Sequence, residues 1–393
     1  MLSWLAPLLV LGLVIFVHEL GHFLAAKWAG VYAPRFSLGW GSPVWSFRRG
    51  ETEYAISALP IGGYVRMASQ EDEHASALEG GGELNKDGTA VERSKHWDEH
   101  SMIPHGPKPI PPDRWFESKP LYKKLVILVA GVVMNVILAV VVSTGVFAYY
   151  GQGYLPAVVD SVVAERPAAL AGMQRGDSIA AIDGTAIKRW DEVLTQVSAA
   201  PERALTFTIL RGGETLTLTV TPEAAEAPSA TTGEMQRVGR IGVGPRGDVA
   251  RERMGIGASV TGGVNATIQM GASVVGVLGG LFKGSVSVSQ LGGPVEIARA
   301  SVTAAQTGTG MENLWALVAF LSVNLAILNL LPIPLLDGGQ IVLNLVEGAI
   351  RKPLPMMVKE WYARIGFAAI LLLFLTVTFN DLKRLVLGWF GGA

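Results

Sequence analysis

His18-Glu19-Leu20-Gly21-His22 brings two imidazoles and a carboxylate into five residues. On a helix, residues four apart share a face, so His18 and His22 can each offer one ring nitrogen to a single metal ion. At about 100° per residue, Glu19 lies roughly 60° around the helix from His22, within reach of a water on that metal. Metal-assisted hydrolysis of an amide needs these groups, ligands for the ion and a base to take the proton of water. The chain has no cysteine. Thiolate sites and disulfides are therefore excluded, and any further ligand must be His, Asp or Glu.

Outside this motif, Asp337 is the one ionisable residue that joins an apolar run to turn chemistry, in Asn324-Leu325-Ala326-Ile327-Leu328-Asn329-Leu330-Leu331-Pro332-Ile333-Pro334-Leu335-Leu336-Asp337-Gly338-Gly339. Pro332 and Pro334 break the helix and Gly338-Gly339 lets the backbone turn, so Asp337 can be presented from the interruption. Two histidines and one carboxylate leave a zinc ion an open position for water, which catalysis requires. A second histidine pair, His96 and His100, has the same spacing but lacks Glu at the second position and any apolar frame. Adventitious metal binding is the expectation there.

The elements that must position these groups are apolar. Leu8 to Val17 precede His18 without a charge, a setting in which ionisable residues are costly and mark function. Of 393 residues, 50% are hydrophobic and 17% charged, and the mean hydropathy is +0.37. That composition belongs to a membrane protein. The net charge of −1 gives no basic face for nucleic acid. The expected fold class is a polytopic α-helical membrane protein with about four transmembrane helices, a membrane-associated β-hairpin or sheet and one soluble domain.

The four spans fall near Leu5 to Trp28, Leu121 to Tyr150, Leu314 to Leu331 and Ile365 to Phe379. The first lacks a basic leader and a small-residue cleavage site, so it is read as retained rather than as a signal peptide. Lys27, Lys119, Lys123 and Lys124 flank the loop between the first two spans, and Arg351, Lys352, Lys359 and Arg364 lie between the last two. Positive charge concentrates on the cytoplasmic side. The expectation is a cytoplasmic location for both loops, with His18 and Asp337 in the cytoplasmic half of the membrane and the middle segment outside.

Residues 31–70 have the short alternating runs of a β-hairpin lying against the membrane face, including Leu59-Pro60-Ile61-Gly62-Gly63-Tyr64-Val65. Its edge could accept an extended substrate by backbone hydrogen bonds, or the sheet could simply cap the helices. A polar loop fills residues 71–118. In the second span, residues 119–151, Asn135 is read as a partner for a neighbouring helix. Residues 253–305 are rich in Gly, Ser and Val. So many glycines disfavour a straight spanning helix, and the segment is expected to be membrane-associated. Residues 311–340 and 358–384 complete the membrane part.

Residues 152–247 carry Gly172-Met173-Gln174-Arg175-Gly176-Asp177-Ser178-Ile179-Ala180-Ala181-Ile182-Asp183-Gly184, a turn, a strand and a second turn, then a helix from Trp190 and two β runs. This order resembles a PDZ domain of the bacterial protease type. The resemblance implies binding of extended peptides or C-termini by strand addition, or the exclusion of bulky proteins without binding.

Taken together, HELGH in a first span, NLAILNLLPIPLLDGG in the third, the intervening PDZ-like segment, Gly62 to Met67, Leu291-Gly292-Gly293-Pro294 and Phe379-Asn380-Asp381 resemble the site-2 protease family of intramembrane zinc metalloproteases, in its bacterial sigma-factor-regulating branch. The resemblance implies zinc ligands at His18, His22 and Asp337, a general base at Glu19, and substrate-binding positions at Asn324, Asn329, Pro332 and Pro334, the two prolines also marking the helix break. It also implies an inner-membrane enzyme whose substrates are single-span proteins such as anti-sigma factors, or remnant signal peptides. Two departures stand out: one PDZ-like segment where a well-known enterobacterial member has two, and Val132 where related sequences often have Pro. The other readings of these residues are a membrane-anchored zincin cleaving soluble or loop segments, and an inactive PDZ scaffold.

Overall fold

A computed structural model describes residues 5–69, 111–228, 235–288, 291–306 and 310–390. The chain forms two compact units, Met1–Val146 with Gly257–Ala393, and Phe147–Ile256. In chain order the elements are α1 (Ala6–Ala29), β1 (Arg35–Arg49), β2 (Thr52–Arg66), a 3-10 turn at Pro112–Arg114 and α2 (Leu121–Tyr150). Then come β3 (Gln152–Tyr154), β4 (Val159–Val162), α3 (Pro167–Leu170), β5 (Ser178–Ile182), β6 (Thr185–Ala186) and α4 (Trp190–Ser198). The strands β7 (Leu205–Arg211), β8 (Glu214–Val220), β9 (Glu223–Pro228), β10 (Met235–Arg240), β11 (Val243–Pro245) and β12 (Ala250–Glu252) follow. Five helices close the chain, α5 (Ile256–Lys283), α6 (Pro294–Gln306), α7 (Gly310–Leu330), α8 (Asp337–Ile350) and α9 (Met356–Phe390). The His96 and His100 pair lies outside the described residues.

Among the described residues, α1, α2, α5, α7 and the Met356–Arg384 part of α9 are long and apolar enough to cross a membrane. The chain is a polytopic helical membrane protein with five candidate spans by length and composition, where about four are expected. The additional candidate is the glycine-rich stretch, which runs as one helix of 28 residues. Two of its glycines are packing surfaces: a Cβ on Gly263 would sit 2.7 Å from the Thr144 nitrogen, and one on Gly271 would touch Val323 and Ile327. Small residues let helix backbones approach in lipid. There the backbone must bond internally, so a glycine penalty measured in water does not decide the matter.

In the first unit α1 packs against both α2 and α7. Val10 and Val14 of α1 pack with Val318 and Leu321 of α7 and with Leu138 and Val142 of α2. Further along α1, His22 meets Ile127 of α2 and His18 meets Asn329 of α7. Thus α1 and α7 run parallel and α2 runs against them. Gly30 ends α1 in the left-handed region (φ 76°), with its N–H on the Lys27 carbonyl, as glycine does at helix C-termini. Ser322 of α7 donates to the Asn135 carbonyl of α2 at 2.8 Å.

β1 and β2 fold into a small sheet whose register has two parts. Trp45 to Arg49 pair antiparallel with Thr52 to Ile56. Phe36 to Leu38 lie between Tyr54 to Ile56, with which their partners rise in step, and Gly63 to Val65, with which they run antiparallel. Gly63 to Val65 are therefore an edge. Phe36 packs with Phe23 and Ala33 beside Phe16 and Leu20 of α1, at ring separations of 5.4 Å to Phe16 and 5.2 Å to Phe23. Such aromatic pairs contribute about 0.5–1.5 kcal/mol beyond their buried area. This packing seats the edge beside α1.

α9 is attached at two levels. Tyr362 donates to the Gly339 carbonyl at 3.2 Å, and a Cβ on Gly366 would meet Pro334. Farther along, the buried Asp381 carboxylate accepts the Gly293 and Glu296 backbone N–H groups at 3.0 and 3.1 Å. A carboxylate from α9 thus caps the start of α6, where unpaired N–H groups and the helix dipole favour negative charge.

The second unit has its own core. A four-stranded sheet runs in the order β6-β5-β7-β8, with β11 on β4, β12 on β3 and β10 on β9. α4 buries Trp190, Val193 and Val197, a helical stripe at i, i+3 and i+7. They join Ile179, Ile182, Phe207 and Ile209. Asp177 is fully buried. Burial pushes its carboxyl up, but Arg211, bonded at 2.7 and 2.8 Å, together with the Gln174 N–H, holds it below the usual range.

Candidate active site

α1 continues without interruption through His18 to Ala29, so both imidazoles project from one face into the bundle, and both are buried. α7 stops at Leu330, where Pro332 removes a donor, and α8 begins at Asp337 after an extended Leu336 (φ −90°, ψ 160°). Leu335 takes a left-handed φ of 74°. Gly338 and Gly339 are buried where a Cβ would collide with the Leu330 and Ile333 carbonyl groups. Only glycine lets the new helix start this close to the end of the old one.

The break delivers Asp337 to the histidines. His18 Nε2 and His22 Nε2 are 3.1 Å apart, and Asp337 Oδ2 lies 3.2 and 3.4 Å from them. Asp337 Oδ2 is buried and makes no hydrogen bond. A tetrahedral zinc with bonds of about 2.0–2.1 Å holds its ligand atoms about 3.3 Å apart, so the three atoms form one face of such a tetrahedron. The cluster can coordinate a metal ion.

A further set of groups orients the ligands. His22 Nδ1 donates to the Ile127 carbonyl at 2.8 Å, which fixes the tautomer with Nε2 free for a metal. His18 Nδ1 sits 3.3 Å from the Asn135 amide, and the other end of that amide, Oδ1, is buried without a partner. Amide oxygen and nitrogen are assigned from their neighbours. With the amide turned over, the His18 Nδ1–H donates to Asn135 Oδ1, and His18 Nε2 is likewise left free. Asn135 therefore serves His18, a role that a lone polar residue in an apolar run does not announce. Gly131 is the second residue missed: a Cβ there would lie 2.7 Å from His18 Cε1 and 2.8 Å from His22 Cε1.

Glu19 and the three ligands line a cavity of about 910 Å³ with Trp40, Gly62, Gly63, Val65, Leu325 and Asn329. Glu19 Oε2 accepts the Val65 N–H at 3.2 Å, which ties the carboxylate to the sheet edge. The Asn329 amide is 3.0 Å from His18 Nε2. Asn324 is half-buried on the same helix and does not line the cavity. Pro332 and Pro334 shape the break, and Pro334 packs against Gly366; neither reaches the cavity.

The family model of peptidase family M50 matches residues 6–373. The zinc metalloprotease RasP of Bacillus licheniformis is 32% identical over 428 residues, an alignment covering 98% of this chain and 99% of that protein. The regulator of sigma-W protease RasP of Bacillus subtilis is 31% identical with the same coverage. The zinc metalloprotease RasP of Geobacillus kaustophilus is 32% identical, again over 98% and 99% of the two chains.

Proposed function

The chain belongs to peptidase family M50, and from that premise we propose that His18, His22 and Asp337 hold zinc while Glu19 acts as the general base in cleaving a spanning segment of a single-span membrane protein. The protein is an intramembrane metalloprotease of regulated intramembrane proteolysis. The observation that carries the assignment of residues is the triangle of ligand atoms at 3.1, 3.2 and 3.4 Å with the Glu19 carboxylate on the same cavity wall.

When bound, zinc supplies Lewis acidity, which polarises a carbonyl and eases deprotonation of water. Glu19 accepts the proton of the attacking water as the carbon–oxygen bond forms, then returns it to the amide nitrogen as the carbon–nitrogen bond breaks. Ile127 and Asn135 keep both imidazoles in the ligating tautomer. Asn329, beside His18, donates an amide N–H to the substrate backbone. A helical segment must unwind to present its carbonyl, and the Gly63–Val65 edge next to Glu19 receives the extended form by strand addition. The exposed Trp40, Trp45 and Phe47 suit a sheet lying in the bilayer interface.

The protein resides in the bacterial inner membrane as a multi-pass chain. The end of α1 at Lys27, the stretch after α8 at Arg351 and Lys352, the start of α9 at Lys359 and the start of α2 at Lys123 and Lys124 face the cytoplasm in this proposal, as the positive-inside rule favours. Phe147–Ile256 then lies outside. That unit acts as a PDZ-type filter, its ligand groove a cavity of about 790 Å³ between Trp190 to Ser198 and Gln236 to Val243. The name of the Bacillus subtilis relative, a regulator of sigma-W, favours an anti-sigma-factor-like substrate; remnant signal peptides fit the same cavity.

The test is cleavage of a single-span reporter by the purified protein, with fragments identified by mass spectrometry. The proposal expects a cut inside the spanning segment that stops on zinc chelation and returns with zinc. Cleavage confined to a soluble loop, with the spanning segment intact, would favour a membrane-anchored zincin.

A further inference from the structure

A second cavity, of about 660 Å³, opens where the start of α2, the end of α8 and the start of α9 meet. Its lining includes four cations, Lys124, Arg351, Lys352 and Lys359, and two carboxylates, Glu117 and Glu347. Glu347 is already matched by Lys359 at 2.8 Å and by the Leu354 N–H at 2.9 Å. Lys124 also acts on Glu347, and four cations against two carboxylates leave the cavity an excess of positive charge. Arg351 holds a left-handed φ of 54° at the end of α8, a conformation unfavourable for a residue with a side chain. Both it and Lys352 are exposed.

The apolar side of the cavity continues onto a spanning helix. Met356, at its lip, is 40% exposed, and Phe367 and Phe374 are 60% and 49% exposed. At about 100° per residue these three lie within about 20° of one line along α9. A cationic cavity at the head of an exposed apolar strip matches a phospholipid, with a phosphate at one end and acyl chains along the helix.

From this arrangement we infer that the cavity is a binding site for the phosphodiester headgroup of an anionic phospholipid such as phosphatidylglycerol. Lys124, Arg351 and Lys352 contact the phosphate, and the acyl chains lie on the Met356–Phe374 strip. The bound headgroup bridges α2, α8 and α9. Because Asp337 is the first residue of α8 and Arg351 follows its last, occupancy fixes the far end of the helix that carries the carboxylate.

The experiment uses the full chain in phosphatidylcholine nanodiscs with or without one-fifth phosphatidylglycerol. Retained lipid is counted by native mass spectrometry, and the unfolding midpoint is recorded. Wild type should retain a phosphatidylglycerol adduct and unfold at a higher temperature with that lipid. The double variant Arg351→Gln, Lys352→Gln should weaken retention about 30-fold, at about 1 kcal/mol per cation near an anionic surface, and lose the thermal gain. Lys283→Gln, a cation on another helix, should behave as wild type. Equal retention by the double variant and wild type would overturn the inference. So would an equal thermal gain from soluble glycerol phosphate alone, which would assign the cavity to a free phosphate instead.

Discussion

Gly131→Ala adds one methyl group on α2 at the point where that helix passes the two histidines. The new Cβ would overlap His22 Nε2, its nearest neighbour, and lie 2.7 Å from His18 Cε1 and 2.8 Å from His22 Cε1, where 3.4 Å marks the start of ordinary contact. The imidazoles, or the backbone of α2, must therefore retreat by roughly 1 Å. Metal sites tolerate ligand displacements of about 0.2 Å, and a misplacement of about 1 Å costs on the order of 100-fold in rate. The variant should fold, bind zinc at least tenfold more weakly, and cleave a single-span reporter about 100-fold more slowly. Gly145, on the same helix, has nothing within 4 Å of its Cβ position, so Gly145→Ala controls for the general effect of alanine in α2. Zinc titration and reporter cleavage on both variants decide the matter. Wild-type zinc affinity and cleavage in Gly131→Ala would refute the claim that close approach of α2 fixes the ligand geometry.

Three further outcomes follow from the same contacts. Asn135→Ala removes the partner of His18 and should weaken zinc binding 10- to 100-fold with little change in helix content, read by metal titration and circular dichroism. Glu51 accepts Arg114 at 2.6 and 2.8 Å and Lys27 at 2.6 Å. The Arg114 bonds in particular hold its carboxyl down at about 2 against an ordinary 4.5. A depressed value means stabilisation that is complete above pH 4.5 and lost as pH falls towards 2; it is worth at most about 3 kcal/mol. Wild type should lose thermal stability between pH 4.5 and 2.5 more steeply than Glu51→Gln, as unfolding scans would record. Gly263→Leu should detach α5 from α2, lowering the unfolding midpoint by several degrees while Gly276→Leu, with nothing near its Cβ position, changes it little.

The parts of the site legible in the sequence are those set by local spacing. His18 and His22 are one helical turn apart, and Pro332, Pro334 and Gly338-Gly339 announce a helix break before the structure places Asp337 there. What the sequence conceals depends on partners distant along the chain. Asn135 reads as a generic interhelical donor because nothing in its own helix says that the facing group, 117 residues away, is an imidazole. Gly131 reads as an ordinary small residue for the same reason. Asn324 and Asn329 look equivalent in one apolar run, yet five residues correspond to about 140° around a helix, and only Asn329 faces the cavity. The α5 helix is hidden by its glycines, because a penalty that holds in water does not decide a segment whose Gly263 and Gly271 pack against Thr144 and Val323. The position of Phe36 to Leu38 between two flanking stretches follows from packing on Phe16 and Phe23, which alternation along β1 cannot reveal.

The measurement that bears most directly on the central claim uses Glu19→Gln. The substitution keeps the shape and the Val65 contact of Glu19 but removes its capacity to take a proton, and it leaves His18, His22 and Asp337 untouched. The purified variant and wild type should each contain one zinc per chain, and the variant should show cleavage of the spanning reporter reduced by at least 100-fold. Full zinc content together with near wild-type cleavage would contradict the assignment of Glu19 as the base and, with it, the reading of this cavity as the place where the peptide bond is broken.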